Sequence, residues 1–528
     1  MLKIQNKGAL EIGYYVLVIG ICFEFRYSNF EFKVFTNMLE RIFPFQFSSR
    51  NAGWNIYTLI MELANKTIIV VGLGLTGMAV ARFLKKRGAL VMVTDQAAEE
   101  TLEPQAQKIR EMGISMELGR HRSQTFEKAD LVVLSPGVPH TIEPLLRAKE
   151  HGIPVIGEIE LASRFIKEPI LAVTGTNGKT TTSEILGSML VHSGFKVFVG
   201  GNIGNPLIGY ADGEQKADFI VAEISSFQLD TIDTFKPKIG VLLNITVDHL
   251  DRYPNFDAYA ASKIRIFKNQ QPDDIAVLNG SDPLVRSLSE PLKSTKLYYP
   301  SLADKEEGAL NNGTKIHFHF SESKKPGKKG PLAHLASRDQ WFLNVAGLKL
   351  IGRHNLENAA AAALAALAAG ASPEAVQEAL NLYQGAAHRL EHIDTIHGVD
   401  FVNDSKATNV DAVIRAVESF KKPVVLIMGG LDKGGNFQAL REVLARHTKK
   451  LIVMGKAAAR IQSALEDTVP TISAASMADA VKQAYRIVSP DNVILLSPGC
   501  ASFDMYDNYV QRGEDFRKAV ENFKLQIS

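Results

Sequence analysis

Residues 172–182, AVTGTNGKTTT, carry side chains and glycines of the types that bind phosphate. Gly175 and Gly178 can adopt backbone angles that other residues avoid, so successive amide groups can converge on one anion. Lys179 can neutralise phosphate charge, and the Thr180 hydroxyl can reach a magnesium ion. We therefore predict an ATP site whose phosphates contact Gly175, Thr176, Asn177, Gly178, Lys179, Thr180 and Thr181.

This phosphate loop departs from the common pattern G-x-x-x-x-G-K-[ST]. That pattern requires a glycine at position 173, where the sequence has Val173. The departure indicates a variant family of nucleotide-binding proteins instead of the common motor or GTPase form.

A second glycine turn lies upstream, in VVGLGLTG. Gly72, Gly74 and Gly77 follow an apolar run, and Asp95 ends the next apolar run. The spacing fits the fingerprint in which glycines let a pyrophosphate approach the backbone and a helix N-terminus. At this point three interpretations stay open: an NAD site, a tight structural turn, or a site for another diphosphate.

The segments around both turns alternate short apolar runs with amphipathic stretches. The runs are TIIVVGLG, LVMVTD, DLVVLSPG, PVIG, ILAVTGTNG, DFIVAEIS and IGVLLNIT, with PVVLIMGG, KLIVMG and NVILLSPG in the last third. This alternation predicts an α/β protein of parallel sheets with helices on their faces. We also expect KIHFHF and QWFLNV to be strands joined by a lysine-rich loop, and the alanine-rich segment NAAAAALAALAAG to be a core helix.

Length and composition limit the possible classes of protein. A chain of 528 residues is too long for one core and predicts two to four domains. A formal net charge of +2 without a basic tract argues against nucleic-acid binding. Two cysteines, Cys22 and Cys500, exclude a disulfide framework and suit a reducing cytosol.

Residues 1–60 differ from the rest of the chain. The apolar run 12–23 is shorter than the roughly 20 residues that a membrane-spanning helix needs. Glu11 precedes it, and no A-x-A-like cleavage site follows. We expect an extension outside the catalytic fold; membrane anchoring, or a natural start at Met61, are the alternatives.

A set of motifs in one order resembles the Mur ligase family. These are GTNGKTTT, GGNIG, EISSFQLD, NITVDHLDRY, GRHNLENA, HRLEHI, NDSKATN and LSPGCASFDMY. The resemblance covers the chain from Met61 to the end and implies three domains. They are a Rossmann-like N-terminal domain at 61–157, a central P-loop-type ATPase domain with a mostly parallel sheet at 158–385, and a Rossmann-like α/β domain at 386–528.

The resemblance implies an ATP-dependent ligase of bacterial cell-wall synthesis. SSFQL and NDSKATN are most similar to the branch of the family that adds D-glutamate to UDP-N-acetylmuramoyl-L-alanine. ATP would phosphorylate the alanyl carboxylate, and the D-glutamate amine would attack the acyl phosphate. The expected partners are these small molecules alone, with no nucleic acid and no membrane for the catalytic body, in a cytoplasmic monomer.

The same resemblance implies a metal site. Thr180 and Glu223 would bind one Mg²⁺ and His249 a second, with Mn²⁺ as a substitute. Lys263 would be carbamylated, because a carbamate can bind a metal that an ammonium would repel. The implied catalytic residues are Lys179, Asn202, Glu223, His249 and Lys263.

Three groups of binding residues are also implied. Asn355, Asn358, Arg389 and Asp404 would contact ATP, with Arg389 reaching the phosphates from the third domain when the domains close. The UDP-sugar would contact Gly74, Leu75, Thr76, Asp95, Gly137, Asn202 and His249. D-Glutamate would contact Lys406, Thr408, Lys433, Ser502, Phe503 and Tyr509.

Other functions remain as alternatives. Within the family, the chain could add another amino acid or resemble a folylpolyglutamate synthetase. From other classes, an NAD(P)-dependent oxidoreductase would use the first glycine turn, and a non-catalytic regulator would bind ATP without turnover. UDP-sugar-dependent release of phosphate separates a ligase from both of these.

Overall fold

The computed structural model describes residues 61–214, 216–300, 308–311, 314–320, 332, 341–346 and 352–527. The expected extension 1–60 and the lysine-rich loop 321–330 lie outside the described residues. Three sheets, largely parallel, carry helices between their strands, which confirms the predicted α/β class. No helix within the described ranges is long and apolar enough to cross a membrane.

The first sheet is fully parallel, in the order β3-β2-β1-β4-β5. Its central strands are apolar and buried on both faces, as expected of a sheet covered by helices. Its strands are β1 Thr67–Val71, β2 Leu90–Thr94, β3 Ser115–Glu117, β4 Leu131–Leu134 and β5 Val155–Gly157. The helices are α1 Leu75–Lys86, α2 Glu99–Leu102, α3 Gln105–Glu111, α4 Ser123–Phe126, α5 Glu143–Glu150 and α6 Glu158–Ser163.

The second sheet has the order β14-β13-β12-β11-β10-β9-β6-β8-β7 and becomes antiparallel at its β14 end. Its parallel strands are β6 Ile170–Thr174, β7 Val197–Gly201, β8 Phe219–Glu223, β9 Ile239–Leu242, β10 Ile275–Asn279, β11 Thr295–Tyr299 and β12 Gly308–Asn311. The predicted strands flanking the lysine-rich loop are confirmed as β13 Lys315–His319 and β14 Phe342–Asn344, which pair antiparallel.

The helices of the second sheet include the predicted alanine-rich core helix. From 358 to 368 every residue of that helix is buried, and it packs against the helix that follows β6. Small side chains allow this close approach. The helices are α7 Lys179–His192, α8 Leu207–Asp212, α9 Ser226–Leu229, α10 Phe256–Ile264, α11 Pro283–Ser289, α12 Arg353–Ala368 and α13 Pro373–Leu382, with a 3₁₀ turn at Arg265–Phe267.

The third sheet has the order β15-β16-β20-β17-β18-β19, with only β15 antiparallel to its neighbour. Its strands are β15 Glu391–Ile396, β16 Val399–Asn403, β17 Val424–Gly429, β18 Thr448–Met454, β19 Thr471–Ser473 and β20 Val493–Leu496. Its helices are α14 Val410–Glu418, α15 Arg441–His447, α16 Ala458–Leu465, α17 Met477–Tyr485 and α18 Tyr509–Ile527, with a 3₁₀ turn at Phe437–Leu440.

The register of the strands brings the predicted motifs together at the carboxyl ends of neighbouring strands. In the second sheet Val173 of β6 pairs with Glu223 of β8, so the phosphate loop and Glu223 leave the sheet side by side. In the third sheet Asn403 of β16 pairs with Leu496 of β20, so the motifs NDSKATN and LSPGCASFD begin at neighbouring strand ends. Such ends are the usual ligand-binding edge of a parallel sheet.

Candidate active site

The phosphate loop requires both of its glycines. Gly175 and Gly178 have φ angles of 156° and 88°, which L side chains rarely adopt. A Cβ at Gly178 would lie 2.3 Å from Oδ1 of Asn358. Helix α7 begins at the next residue, so its positive N-terminal end faces the loop, as in anion-binding sites.

The Lys179 side chain folds over this loop. Its Nζ donates to the carbonyl oxygens of Gly175 and Thr176, both at 2.9 Å. Burial lowers the pKa of Lys179, while the negative charge of Glu223 opposes that shift and Arg389 adds to it. A cation is therefore held at the place where phosphate charge is expected.

Four side chains form a hydrogen-bonded chain that crosses from the second sheet to the third. The Thr180 hydroxyl donates to Oε2 of Glu223 at 2.8 Å and accepts from Nζ of Lys406 at 2.6 Å. Nδ2 of Asn202 donates to the other Glu223 oxygen at 2.7 Å. The structure thus brings predicted metal, acyl-phosphate and D-glutamate residues into direct contact.

His249 occupies a strained turn beside this chain. Its φ of 55° is unusual for a residue other than glycine. Its amide donates to Oδ1 of Asp248 at 2.8 Å, and its ring packs edge-on against Phe227 at 4.8 Å. Burial lowers the pKa of His249 to about 4, although Asp248 opposes the shift. The imidazole is therefore neutral near pH 7, the form that binds metals.

Lys263 is almost completely buried, with 1% of its surface exposed. Its Nζ donates to the Gly175 carbonyl at 2.8 Å and lies 4.5 Å from the centre of the Tyr259 ring. Burial lowers the pKa of Lys263 well below its usual value, and the positive charge of Lys179 lowers it further. The side-chain nitrogen of Lys263 thus lies within hydrogen-bond distance of the phosphate loop, in surroundings that disfavour its charged form.

Six of the predicted ATP residues, together with Lys406 from the predicted D-glutamate set, line one cleft between the second and third sheets. Nε of Arg389 is buried and has no hydrogen-bond partner among the described residues, which leaves a donor for an anion. Burial raises the pKa of the Asp404 carboxyl group to about 7. The predicted residues on the cleft walls are Asn177, Gly178, Asn355, Asn358, Arg389, Asp404 and Lys406.

Comparison with known proteins supplies the family. Residues 66–157 match the Mur ligase MurD-like N-terminal domain, 173–366 the Mur ligase middle domain, and 388–500 the Mur ligase glutamate ligase domain. The chain is 50% identical over 460 residues to a UDP-N-acetylmuramoylalanine–D-glutamate ligase of Desulfatibacillum aliphaticivorans, covering 87% of this chain and 99% of the relative. The chain belongs to the Mur ligase family.

Further matches agree with this membership. A UDP-N-acetylmuramoylalanine–D-glutamate ligase of Desulfosudis oleivorans is 47% identical, covering 88% of this chain and 98% of the relative. Among solved structures, a MurF ligase of Thermotoga maritima in complex with ADP aligns at a TM-score of 0.54, with 15% identity over 89% of this chain and 100% of that one. A pseudomurein peptide ligase of Methanothermus fervidus gives 0.54 at 20% identity, over 87% and 100%. These two structures support the fold.

In this Mur ligase one glycine of the first turn is required by close packing, whereas another has open space beside it. A Cβ at Gly77 would lie 1.8 Å from the Gly72 carbonyl oxygen, so that glycine is needed for helix–strand packing. A Cβ at Gly74 or Gly137 would meet no atom within 4 Å. Gly74 and Gly137 therefore leave their backbone accessible to a ligand.

Asp95 braces the same turn. Its Oδ2 accepts the Leu73 amide at 2.7 Å, and its Oδ1 accepts the Ala97 amide at 2.8 Å. The carboxylate predicted to contact the UDP-sugar is thus bonded both to the first glycine turn and to the loop that follows β2. Leu75, which begins α1, is 70% exposed, and Thr76 beside it is half-buried.

The predicted D-glutamate residues differ in position. Nζ of Lys406 lies 5.1 Å from the centre of the Tyr509 ring, in addition to its contact with Thr180. The charge of Lys433 helps to lower the pKa of His249, so that lysine lies within electrostatic reach of one of the predicted metal ligands. Phe503 is 68% exposed. Ser502 is buried, and Thr408 is partly exposed.

Sequence reasoning missed several residues of the site. Oδ1 of Asn244 accepts the Asn177 backbone amide at 2.8 Å, and Nδ2 of Asn244 donates to the Asn177 carbonyl at 3.0 Å, so Asn244 braces the phosphate loop.

Arg252 is a second residue that was missed. Its Nη1 donates to the Gly137 carbonyl at 3.2 Å, and its guanidinium group lies over the Phe227 ring, so that it links the first two sheets. Asn244 and Arg252 both lie in the motif NITVDHLDRY, which offered a signal. His354, on the cleft of the predicted ATP residues, lies in the motif GRHNLENA, whereas Arg415 on the same cleft lies in none of the motifs.

Proposed function

We propose that this Mur ligase joins D-glutamate to UDP-N-acetylmuramoyl-L-alanine, converting ATP to ADP and phosphate, in peptidoglycan precursor synthesis. The observation that carries the proposal is the 50% identity, over 99% of its length, to a UDP-N-acetylmuramoylalanine–D-glutamate ligase. Lys179 and Lys406, which donate to atoms of the phosphate loop and of Thr180, support it, because lysine side chains can offset charge where three anionic substrates must meet.

The reaction follows from the chemistry of a carboxylate, which cannot lose an oxide to an attacking amine. The alanyl carboxylate oxygen attacks the γ-phosphorus of ATP, the bond to ADP breaks, and an acyl phosphate forms. The free amine of D-glutamate then attacks the acyl carbon, phosphate leaves with the bonding electrons, and the amine loses a proton. Lys179 stabilises charge on the transferred phosphoryl group, and Asn202 holds Glu223 beside the reacting carboxylate.

The ligase requires Mg²⁺, and the donors present fit that ion. Thr180 and Glu223 offer a hydroxyl and a carboxylate oxygen at 2.8 Å from each other. Among the described residues no group of three or more His, Cys, Asp or Glu side chains could hold a metal alone, which matches the habit of Mg²⁺ to take its other ligands from phosphates and water. When bound, the ion would neutralise phosphate charge. We propose two ions, with His249 at the second and Mn²⁺ as a substitute.

Carbamylation of Lys263 is part of the proposal. A carbamate forms when a neutral amine attacks carbon dioxide and loses a proton. Burial lowers the pKa of the Lys263 amine well below its usual value, and the charge of Lys179 lowers it further, so the neutral form that reacts with carbon dioxide is favoured at this position. The Lys179 cation that disfavours an ammonium at this position would stabilise a carbamate anion, so the same local charge favours the modified form.

The remaining ligand residues keep their predicted roles. We propose that the UDP-sugar lies against Gly74, Leu75, Thr76, Asp95 and Gly137 and extends to Asn202 and His249. Gly74 and Gly137, with no atom within 4 Å of a built Cβ, support this placement. D-Glutamate would bind Lys406, Thr408, Lys433, Ser502, Phe503 and Tyr509. ATP would contact residues 175–181 together with Asn355, Asn358, Arg389 and Asp404.

We also propose domain limits of 61–157, 158–385 and 386–528, and a monomer that works in the cytoplasm. The three sheets fall within these limits. All substrates of the proposed reaction are charged nucleotides or amino acids, which supports a cytoplasmic site.

Phosphate release by the purified enzyme tests the function. UDP-N-acetylmuramoyl-L-alanine, ATP and Mg²⁺ are supplied with D-glutamate, L-glutamate, L-lysine or meso-diaminopimelate in turn. We expect release with D-glutamate and none without the UDP-sugar. Turnover with one of the other amino acids in place of D-glutamate would reassign the substrate within the family. ATP binding without any turnover would support a non-catalytic regulator.

A further inference from the structure

Asn409 connects the third sheet to both loops of the candidate active site. It is the N-cap of α14, and its Oδ1 accepts the Ala412 amide at 2.8 Å. With that oxygen fixed, the side-chain amide must point away from the helix. It donates to Oδ2 of Asp248 at 3.0 Å and to Oδ1 of Asn177 at 3.3 Å. Every polar atom of this side chain thus has a partner.

The contact with Asp248 reaches His249 through one further bond. Oδ1 of Asp248 accepts a hydrogen bond from the backbone amide of His249, and Oδ2 accepts one from the side-chain amide of Asn409. Since His249 has a φ of 55°, its turn needs outside support to persist. The third sheet supplies that support through a single asparagine.

Asp411, in the first turn of α14, makes a second bridge. Its Oδ2 accepts Nδ2 of Asn177 at 2.7 Å and Nε of Arg415 at 2.9 Å. Asn177 lies in the phosphate loop, and Arg415 lines the ATP cleft. The N-terminal end of α14 therefore bonds to the loop from one side while Asn244 bonds to it from the other.

We infer that Asn409 and Asp411 are positioning residues that hold the phosphate loop and the Asp248–His249 turn in their reactive arrangement only when the third domain is docked. The inference rests on the proposed function for the roles of those two loops. What is assigned is the work of two side chains: Asn409 and Asp411 bond the N-terminal end of α14 to Asn177 of the phosphate loop and to Asp248.

Two substitutions at Asn409 separate this task from helix capping. Serine and aspartate are both good N-cap residues, so Asn409→Ser and Asn409→Asp keep α14 capped. Serine removes both cross-domain donors. Aspartate removes them and also places a carboxylate beside Asp248, where like charges repel. We expect kcat to fall about tenfold in Asn409→Ser and further in Asn409→Asp. The melting temperature should stay close to that of the wild type.

The matched control is Ser476→Asn, which exchanges the N-cap of α17, a helix outside the site. We expect wild-type kcat from it. The affinity for UDP alone should also be unchanged in the Asn409 variants, because UDP is expected to contact residues of the first sheet's loops, none of which bonds to Asn409. Wild-type kcat in both Asn409 variants would overturn the inference and leave Asn409 as a cap.

Hydrogen–deuterium exchange provides a readout that does not depend on ligase activity. Without substrates, the amides of residues 244–250 should exchange about tenfold faster in Asn409→Ser than in the wild type. Those of the first glycine turn should not change. Unchanged exchange at 244–250 would refute the positioning role even if D-glutamate proved to be the wrong substrate. Wild-type turnover with another amino acid would refute only the proposed function.

Discussion

The two glycine turns of this ligase occupy the same place between a strand and a helix, and they differ in their side chains. Each joins a buried parallel strand to a helix, and each is braced by a polar side chain near the end of a neighbouring strand. Asp95 braces the first turn and Asn244 the second. The first turn, VVGLGLTG, contains no cation, whereas Lys179, Lys263 and Lys406 all donate to atoms of residues 175–180 in the second.

This difference indicates that the first turn serves to bind a diphosphate and the second to promote phosphoryl transfer. Backbone amides and a helix N-terminus are sufficient to hold a diphosphate that does not react. Phosphoryl transfer requires more, because charge shifts during the reaction and must be met by groups already in place. Three lysines at one turn, one of them buried and two partly buried, therefore distinguish the turn that we assign to the reaction.

The largest expected effect comes from removing a cation of the second turn. Lys179→Ala should lower kcat about a thousandfold or more, because the transferred phosphoryl group loses its charge partner. ADP formation in the presence of all three substrates measures it. Lys85→Ala is the control, since Lys85 is an exposed lysine on the helix that follows the first turn. A Lys179→Ala enzyme with a tenth of wild-type activity would break the distinction between the two turns.

Glycine substitutions sharpen the comparison at the backbone level. Gly178→Ala places a Cβ 2.3 Å from Asn358 at a φ of 88°, so we expect a loss of about 1–3 kcal/mol in unfolding free energy and of ATP turnover. Gly74→Ala has φ −80° and meets no atom within 4 Å. It should keep the melting temperature and raise only the KM for the UDP-sugar. A destabilised Gly74→Ala protein would indicate that this glycine is structural after all.

The two bracing side chains should also differ in their importance. Asn244→Asp keeps the acceptor for the Asn177 amide but loses the donor and adds negative charge beside the phosphates, so kcat should fall about tenfold or more. Asp95→Asn loses one acceptor for a loop amide, costing about 1 kcal/mol. Its kcat should be unchanged. Steady-state kinetics and thermal melting distinguish the two, and equal losses of kcat would contradict the assignment of chemistry to one turn.

The sequence predicted the features that are local along the chain. Apolar runs located the parallel strands, and the phosphate loop indicated its own chemistry through residues 175–180. Both follow from short-range patterns, since strand burial and turn geometry depend on neighbouring residues. The ATP residues outside this loop could be predicted only from the family resemblance, because their motifs lie in different parts of the chain.

Contacts between sheets could not be predicted in this way. Asn177 and Asp411 are 234 residues apart, and Asp248 and Asn409 are 161 apart. No periodicity of the sequence relates positions so far apart. They meet because the second and third sheets and their helices lie against each other in the folded protein. The sequence predicted Asp95 as a UDP-sugar contact but did not indicate that its carboxylate accepts the amides of Leu73 and Ala97. A residue type shows what a side chain can bind, and only the fold shows which partner it has.

The smallest expected effect is a pH dependence at the second turn. Burial, with help from the charge of Arg389, lowers the pKa of Lys406 to about 7. The lysine is therefore cationic below pH 7 and loses its charge as the pH rises, so an anion bound there should be held less tightly in alkali. Glutarate is a suitable probe, because it has the two carboxylates of glutamate and no amine to titrate. Its inhibition constant should rise several-fold between about pH 6 and about pH 9.

Lys406→Arg isolates the cause of that change. Arginine stays charged over this range, so the inhibition constant of the variant should vary less with pH than that of the wild type. The comparison is needed because burial also raises the pKa of Asp404 to about 7, and the charge that Asp404 gains would weaken anion binding over the same interval. His249, with a pKa of about 4, does not change charge there. Equal pH profiles for the two enzymes would assign the effect to Asp404 and remove Lys406 from the cations that distinguish the second turn.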